Sequence, residues 1–103
     1  MRMMLQFIKK EVRNIISDYM IAAAQLRASR ALLGIDLRSL AASAGLSLPT
    51  IQRMEASVGV IRGNVDSLMK VTTALETLGI ELLSDNAESY SGGRGVRLKR
   101  ATP

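Results

Sequence analysis

Few side chains in this sequence could carry out chemistry. The chain has 103 residues and contains neither cysteine nor histidine, so it lacks thiol nucleophiles, imidazole bases and the usual ligands of zinc. Two carboxylates, Glu76 and Glu81, are five residues apart across the end of a predicted helix, which is a poor spacing for an acid–base pair. The sequence therefore predicts a protein that is not an enzyme and that uses no metal and no cofactor.

The charged residues favour the binding of a polyanion instead. The formal net charge is +5, from 14 basic against 9 acidic residues, and a basic balance is typical of proteins that bind nucleic acid. Residues 21–83 are nearly neutral, with six basic and five acidic side chains, so a nucleic-acid surface there must be a local patch. Two tyrosines and one phenylalanine are the only aromatic residues. That is too few for stacking on single-stranded bases, which favours a duplex target.

The spacing of apolar residues predicts the elements that position such a patch. Helices are expected at four places, namely 21–33, 37–44, 48–56 and 65–78. The first helix is expected to carry Arg27 and Arg30 on its outward face. Asp36, Ser47 and Asn64 are good N-caps for the other three helices, and a glycine follows the end of three of the four.

The segment 37–56 is predicted to form two short helices joined by a tight turn. Ala41 is small where the two helices approach each other, and Gly45 can take the positive φ that a sharp turn requires. Leu46 is expected to fill the turn, and three apolar side chains form the inner face, namely Leu40, Ile51 and Met54. Ser47 caps the second helix and leaves its amide groups facing outward, where a phosphate could bind.

This segment resembles the helix-turn-helix of the Cro and repressor-type (XRE) family of bacterial transcriptional regulators. The shared residues are Leu40-Ala41, Ala44-Gly45-Leu46-Ser47, Thr50-Ile51 and Glu55, and the resemblance covers about residues 22–83. It implies a mainly α fold, a compact helix-turn-helix bundle of about four to five helices with a short C-terminal β-hairpin. It also implies sequence-specific binding of duplex DNA, with the helix at about 48–56 as the recognition helix in the major groove.

The resemblance assigns candidate DNA contacts to particular positions. The outward residues of the recognition helix would be Ser47, Leu48, Pro49, Thr50, Gln52 and Arg53. Gln52 suits an adenine edge, and Arg53 suits either a guanine edge or a phosphate. The candidate phosphate contacts are Arg38, Arg62 and Asn64, the last at the start of a helix.

Two departures from the family pattern keep a second interpretation open. Leu37 stands where the family commonly has a glutamine that reaches a phosphate. Leu48, followed by Pro49, stands where a polar or basic residue is common. An apolar patch at this point also fits a protein-interaction module, such as an antitoxin or an anti-activator, built on the same scaffold.

The residues on either side of the helix-turn-helix predict two further segments. An amphipathic helix is expected over residues 1–20, because apolar side chains follow a three, four, three, four spacing at Leu5, Ile8, Val12, Ile15 and Tyr19. Strands at 80–83 and 96–99 predict a hairpin. The expected organisation is an N-terminal helix (1–20), a helix-turn-helix domain (21–79) and a C-terminal hairpin with a basic tail (80–103).

The partners and the location of the protein follow from these expectations. One short recognition helix buries too little surface for operator specificity, so a homodimer on duplex DNA is expected. The dimer contact would come from the N-terminal helix or from the edge of the C-terminal strand, with the strand edge preferred. No stretch approaches the roughly 18 apolar residues of a membrane span, and the apolar start is too short for a signal peptide. A cytoplasmic protein is expected.

Overall fold

The computed structural model of the protein describes residues 20–85, 87–88 and 91–100. Within them the elements are α1 (Ala23–Leu33), α2 (Leu37–Ala44), α3 (Leu48–Glu55), α4 (Val65–Leu78), β1 (Ile80–Leu83) and β2 (Gly95–Leu98). The predicted mainly α fold with a short C-terminal hairpin is confirmed. The helix predicted over residues 1–20 falls outside the described residues, apart from Met20, which is not helical.

The element boundaries agree with the sequence to within two residues. Helices α2 and α4 match their predicted bounds, while α1 begins two residues later than expected and α3 ends one residue earlier. Strand β2 lies one residue earlier than predicted. The late start of α1 has a structural cause, because Ala22 forms an isolated β-bridge with Val60 and is therefore extended rather than helical.

The helix ends are fixed by the predicted caps. The side chains of Asp36, Ser47 and Asn64 each accept a hydrogen bond from the backbone N–H three residues further on, at 2.8, 3.3 and 2.7 Å. Each bond satisfies one of the free N–H groups that a helix start exposes. Between α2 and α3, Gly45 has φ +67°, a left-handed conformation that residues with a Cβ rarely adopt.

The core lies where the four described helices meet the hairpin. The largest fully buried apolar side chains are Ile21, Leu26, Leu40, Ile51, Val71, Leu75 and Ile80. Helix α2 packs against α3 and α4, whereas α1 packs against α3 and β2. Strands β1 and β2 are antiparallel, with Ile80 opposite Leu98 and Leu83 opposite Gly95.

The loop between α3 and α4 is attached to the start of α1. The N–H of Ala23 donates to the carbonyl of Gly59, and the N–H of Ile61 donates to the carbonyl of Ile21, both at 2.9 Å. Ile61 is also buried, with 3% of its surface exposed. The loop that leaves α3 is therefore held by backbone pairing on both sides of Val60.

Gln25 attaches the hairpin to α1. This side chain is 6% exposed, and its Nε2 donates to the carbonyls of Leu83 at 3.0 Å and Gly95 at 2.9 Å. Its Oε1 accepts the N–H of Ala22 at 2.9 Å. One buried amide thus joins the last pair of the β-ladder to the first turn of α1.

None of the described helices is long and apolar enough to cross a membrane.

Replacing Gln25 by leucine is expected to lower the free energy of unfolding by about 1–3 kcal/mol, because buried polar groups lose their partners. Urea denaturation measures the change. The matched control is Gln52→Leu, the same substitution at an exposed position, which is expected to change stability by no more than about 0.5 kcal/mol. Equal effects of the two substitutions would contradict the role assigned to Gln25.

Candidate nucleic-acid interface

Helix α3 presents one anchored face and one free face. Ile51, Met54 and Glu55 are buried, as 3.6-residue periodicity requires of one side of an amphipathic helix. The opposite side exposes Pro49, together with two polar residues, Gln52 and Arg53. The sequence predicted Leu48 and Thr50 to face outward as well, and the structure shows both half-buried.

The corner before α3 has the geometry expected of a tight helix–helix turn. Ala41 is 4% exposed, and its carbonyl accepts the N–H of Leu46 at 3.0 Å. Leu46 itself packs against the core. Ser47 is exposed, and its hydroxyl also lies 2.8 Å from the hydroxyl of Thr50. These contacts fix the angle at which α3 leaves α2.

An ion pair between Arg30 and Glu55 holds the far end of α3. The guanidinium binds the carboxylate through two nitrogens, Nε to Oε2 and Nη2 to Oε1, the latter at 2.9 Å. Glu55 is 9% exposed. The hydrogen bond to Glu55 raises the pKa of Arg30, and the charge of the same carboxylate adds to that rise. In addition, Nη1 of Arg27 donates to the backbone carbonyl of Glu55 at 2.6 Å.

The outward position predicted for Arg30 is therefore wrong. The side chain of Arg30 is 24% exposed, and it also donates to the carbonyl of Ile35 at 3.2 Å. The sequence did carry a signal for this contact. Glu55 occupies the inner face of the predicted helix with Ile51 and Met54, and a carboxylate at such a position needs a cationic partner.

The basic side chains divide into those that the fold uses and those that remain free. Ion pairs hold four in the described part of the chain, Arg30 with Glu55, Lys70 with Asp66, Arg94 with Asp85 and Arg97 with Glu81. Arg27 and Lys99 donate to backbone carbonyls. Within the same residues, Arg38, Arg53, Arg62 and Arg100 form no ion pair. The three predicted DNA-contacting arginines all belong to this free group.

A cleft of about 320 Å³ between α3 and the start of α4 brings four predicted residues together. Thr50, Arg53, Arg62 and Asn64 line it, together with Ser57 and Ser67. Arg53 and Arg62 are exposed, and none of the residues lining the cleft is acidic. Both arginines therefore border one small polar space.

The other predicted contacts lie outside this cleft. Arg38 is exposed in the first turn of α2, close to the Asp36 cap. Four more predicted contacts lie at the start of α3 or on its other flank and do not line the cleft, namely Ser47, Leu48, Pro49 and Gln52. The predicted surface is thus a patch centred on α3, with a polar cleft along one flank.

A larger groove, about 490 Å³, lies between the end of α2 and the face of α4. Its lining includes Ala44, Met69, Ala74 and Leu78, and the charged side chains that border it, Asp66 and Lys70, pair with each other at 3.3 Å. Such a lining offers no free cation to a phosphate. The smaller cleft beside α3 is the better candidate for a nucleic-acid contact.

Comparison with known protein families gives no match for this chain, and comparison with curated proteins gives none either.

Replacing Arg30 by methionine is expected to lower the free energy of unfolding by about 3 kcal/mol, because the buried carboxylate of Glu55 loses its partner. The double variant Arg30→Met/Glu55→Met should recover much of that loss, since no charge is then left buried. Lys70→Met breaks the exposed pair with Asp66 and serves as the control, with an expected change of about 0.5 kcal/mol or less. Urea denaturation compares the three variants, and equal losses in the two single variants would contradict the anchoring role.

The N-cap of α2 is expected to make stability depend on pH. The backbone N–H of Ser39 donates to Asp36 and lowers the pKa of this carboxyl, and the charges of Arg38 and Arg30 lower it further. A lowered folded-state pKa means that the stabilisation is complete above the unfolded value, about 4. It is lost as pH falls through the folded value.

Asp36→Asn retains the cap but removes the titration. Thermal unfolding followed between pH 5 and pH 2 should therefore show a shallower decline for Asp36→Asn than for the wild type. Identical pH profiles would rule out the contribution assigned to Asp36.

Proposed function

We propose that this protein is a sequence-specific duplex-DNA-binding regulator that places α3 in the major groove. The observation that carries the proposal is the free face of α3, where Pro49, Gln52 and Arg53 are exposed and Arg53 lines one cleft with the free Arg62. The resemblance of residues 37–56 to the Cro and repressor-type helix-turn-helix supports the same role. It further supports action in the cytoplasm of a bacterial cell.

The dimensions of α3 agree with this role. The eight residues of α3 make about two turns of a helix that is about 10–12 Å across with its side chains, and the major groove is about 12 Å wide. A helix of this length can enter the groove with its first two turns while its buried side remains on the domain. The ion pair of Glu55 with Arg30 would keep α3 attached to α1 during binding.

Pairing of two copies is part of the proposal. A single α3 offers few base-reading side chains, and twofold pairing would place two such helices about 34–36 Å apart on one face of the duplex. The N-terminal segment, one of the two predicted dimer contacts, lies outside the described residues. The other, strand β2, exposes half of Leu98 and carries Arg97, and Lys99 follows its last residue.

A second candidate is a protein-interaction module, favoured by the apolar start of α3. Pro49 is exposed and Leu48 is half-exposed, which gives a small apolar surface where DNA-binding helices commonly present polar side chains. On this hypothesis a partner protein, such as a toxin or an activator, covers the same face of α3.

Selection from a random duplex library, followed by fluorescence anisotropy at 50–200 mM salt, tests the proposal. The wild type is expected to select a palindromic sequence, and its affinity should fall steeply with salt because phosphate contacts release counterions. Pro49→Glu should weaken binding by about tenfold or more, because it places a carboxylate opposite the DNA. An acidic residue in the first turn of a helix does not destabilise that helix.

Thr73→Glu is the matched control for this test. It places the same charge at an exposed position of α4 that lines the larger groove and not the cleft beside α3, and should leave DNA affinity within about twofold of the wild type. Failure of the wild type to bind any duplex at low salt would overturn the proposal. A protein partner whose binding is lost in Pro49→Glu would then establish the second candidate.

A further inference from the structure

Gln52 and Arg53 leave α3 in different directions. Consecutive residues of a helix are separated by about 100° around its axis. Arg53 lines the cleft between α3 and α4, and its Nη2 lies 3.4 Å from Oγ1 of Thr50, one turn earlier. Gln52 is exposed on the other flank, outside the cleft, and its side chain forms no hydrogen bond with the described residues, although its backbone carbonyl accepts the N–H of Ala56.

The cleft beside Arg53 has the charge and the donors that a single anion needs. Two arginines, Arg53 and Arg62, line it, and no acidic residue does. Like charges that converge on one space repel each other, and an anion between them removes the repulsion and accepts charge-assisted hydrogen bonds. Ser57 also lines the cleft, and its Oγ donates to the carbonyl of Arg53 at 3.1 Å.

Asn64 adds a further donor to the same space. Its Oδ1 accepts the N–H of Ser67 at 2.7 Å, which leaves the side-chain nitrogen directed away from the helix. Asn64 and Ser67 both line the cleft with the two arginines. The cleft therefore combines two positive charges with neutral polar groups, which is the chemistry that recognises a phosphate rather than a base edge.

We propose that Arg53 and Arg62 together bind one backbone phosphate in this cleft, and that Gln52 is the residue of α3 that reads a base edge. The proposal rests on the proposed function, since it specifies how the same surface divides the tasks of affinity and specificity. Arg53 could bind either a guanine edge or a phosphate. The proposal assigns it the phosphate and predicts that it does not select a base.

Salt-dependent binding of single and double variants separates the two roles on the DNA sequence selected by the wild type. Arg53→Ala should weaken binding by about tenfold on every sequence tested and leave the preferred bases unchanged. The double variant Arg53→Ala/Arg62→Ala should lower the slope of log affinity against log salt by about 1, since one phosphate is lost. The fold-loss of DNA affinity in the double variant should differ by more than about twofold from the product of the fold-losses in the two single variants. Such non-additivity is expected for groups that share a ligand.

Two controls make this test specific. Arg38 is also free but does not line the cleft, so the losses of Arg38→Ala and Arg53→Ala should multiply without coupling. Gln52→Ala should relax the preference at one base pair by about fivefold or more and leave the salt slope unchanged. A base preference that disappears in Arg53→Ala, or a slope change of about 2 in the Arg53/Arg62 double variant, would overturn the shared phosphate site.

A titration of the full-length protein with inorganic phosphate tests the cleft independently of DNA. Millimolar phosphate is expected to shift the backbone amide NMR signals of Ser57, Gly63 and Ser67, which line the cleft. The shifts should vanish in Arg62→Ala and persist in Arg38→Ala. Such shifts without duplex binding would support the anion site and overturn the DNA-binding role. Duplex binding without them, combined with additive losses at Arg53 and Arg62, would overturn the shared site alone.

Discussion

The contact on which the functional surface depends is the ion pair between Arg30 and Glu55. Helix α3 has only eight residues, too few to be stable without tertiary contacts. Ile51 and Met54 bury its apolar side, but apolar contacts are non-directional and fix the rotation of a short helix poorly. Arg30 binds the carboxylate of Glu55 through two nitrogens, and Arg27 donates to the backbone carbonyl of the same residue. These directional contacts restrict the rotation of α3 about its axis. The free face of α3 is thus oriented by a charge on its buried face.

The distribution of ion pairs explains how a domain with nearly no net charge can still present a basic patch. None of the acidic residues that pair with a lysine or arginine in the described part of the chain lines the cleft beside α3; Asp66, which pairs with Lys70, and Glu81, which pairs with Arg97, are examples. Three of the four free arginines, Arg38, Arg53 and Arg62, then lie at α2, α3 and the loop before α4. Net charge over residues 21–83 therefore understates the local potential, because potential depends on which charges are left without partners.

The sequence predicted what depends on local rules and missed what depends on contacts between distant residues. The caps at Asp36, Ser47 and Asn64 and the turn at Gly45 follow from conformational preferences of single residues, and the structure confirms them. The pairing of Arg30 with Glu55 spans 25 residues, and that of Gln25 with Gly95 spans 70. Helical periodicity gives the face that a residue occupies but not the element packed against it. It could therefore show that Glu55 needs a cationic partner, but not that the partner is Arg30, and it could not show which groups Gln25 binds.

The shape of α3 limits how much specificity one copy can supply. Pro49 and Ala56 are seven residues, or about two turns, apart, so they lie on nearly the same side of the helix. Both are exposed, and neither side chain has a hydrogen-bond donor or acceptor. Base reading would therefore fall to Gln52 on one flank, and one bidentate contact discriminates by about 1–3 kcal/mol. Specific DNA binding commonly needs about 4–10 kcal/mol over non-specific binding. Two copies related by twofold symmetry would double this discrimination to about 2–6 kcal/mol, which overlaps the lower part of that range. The proposed specific binding of DNA would therefore need two paired copies.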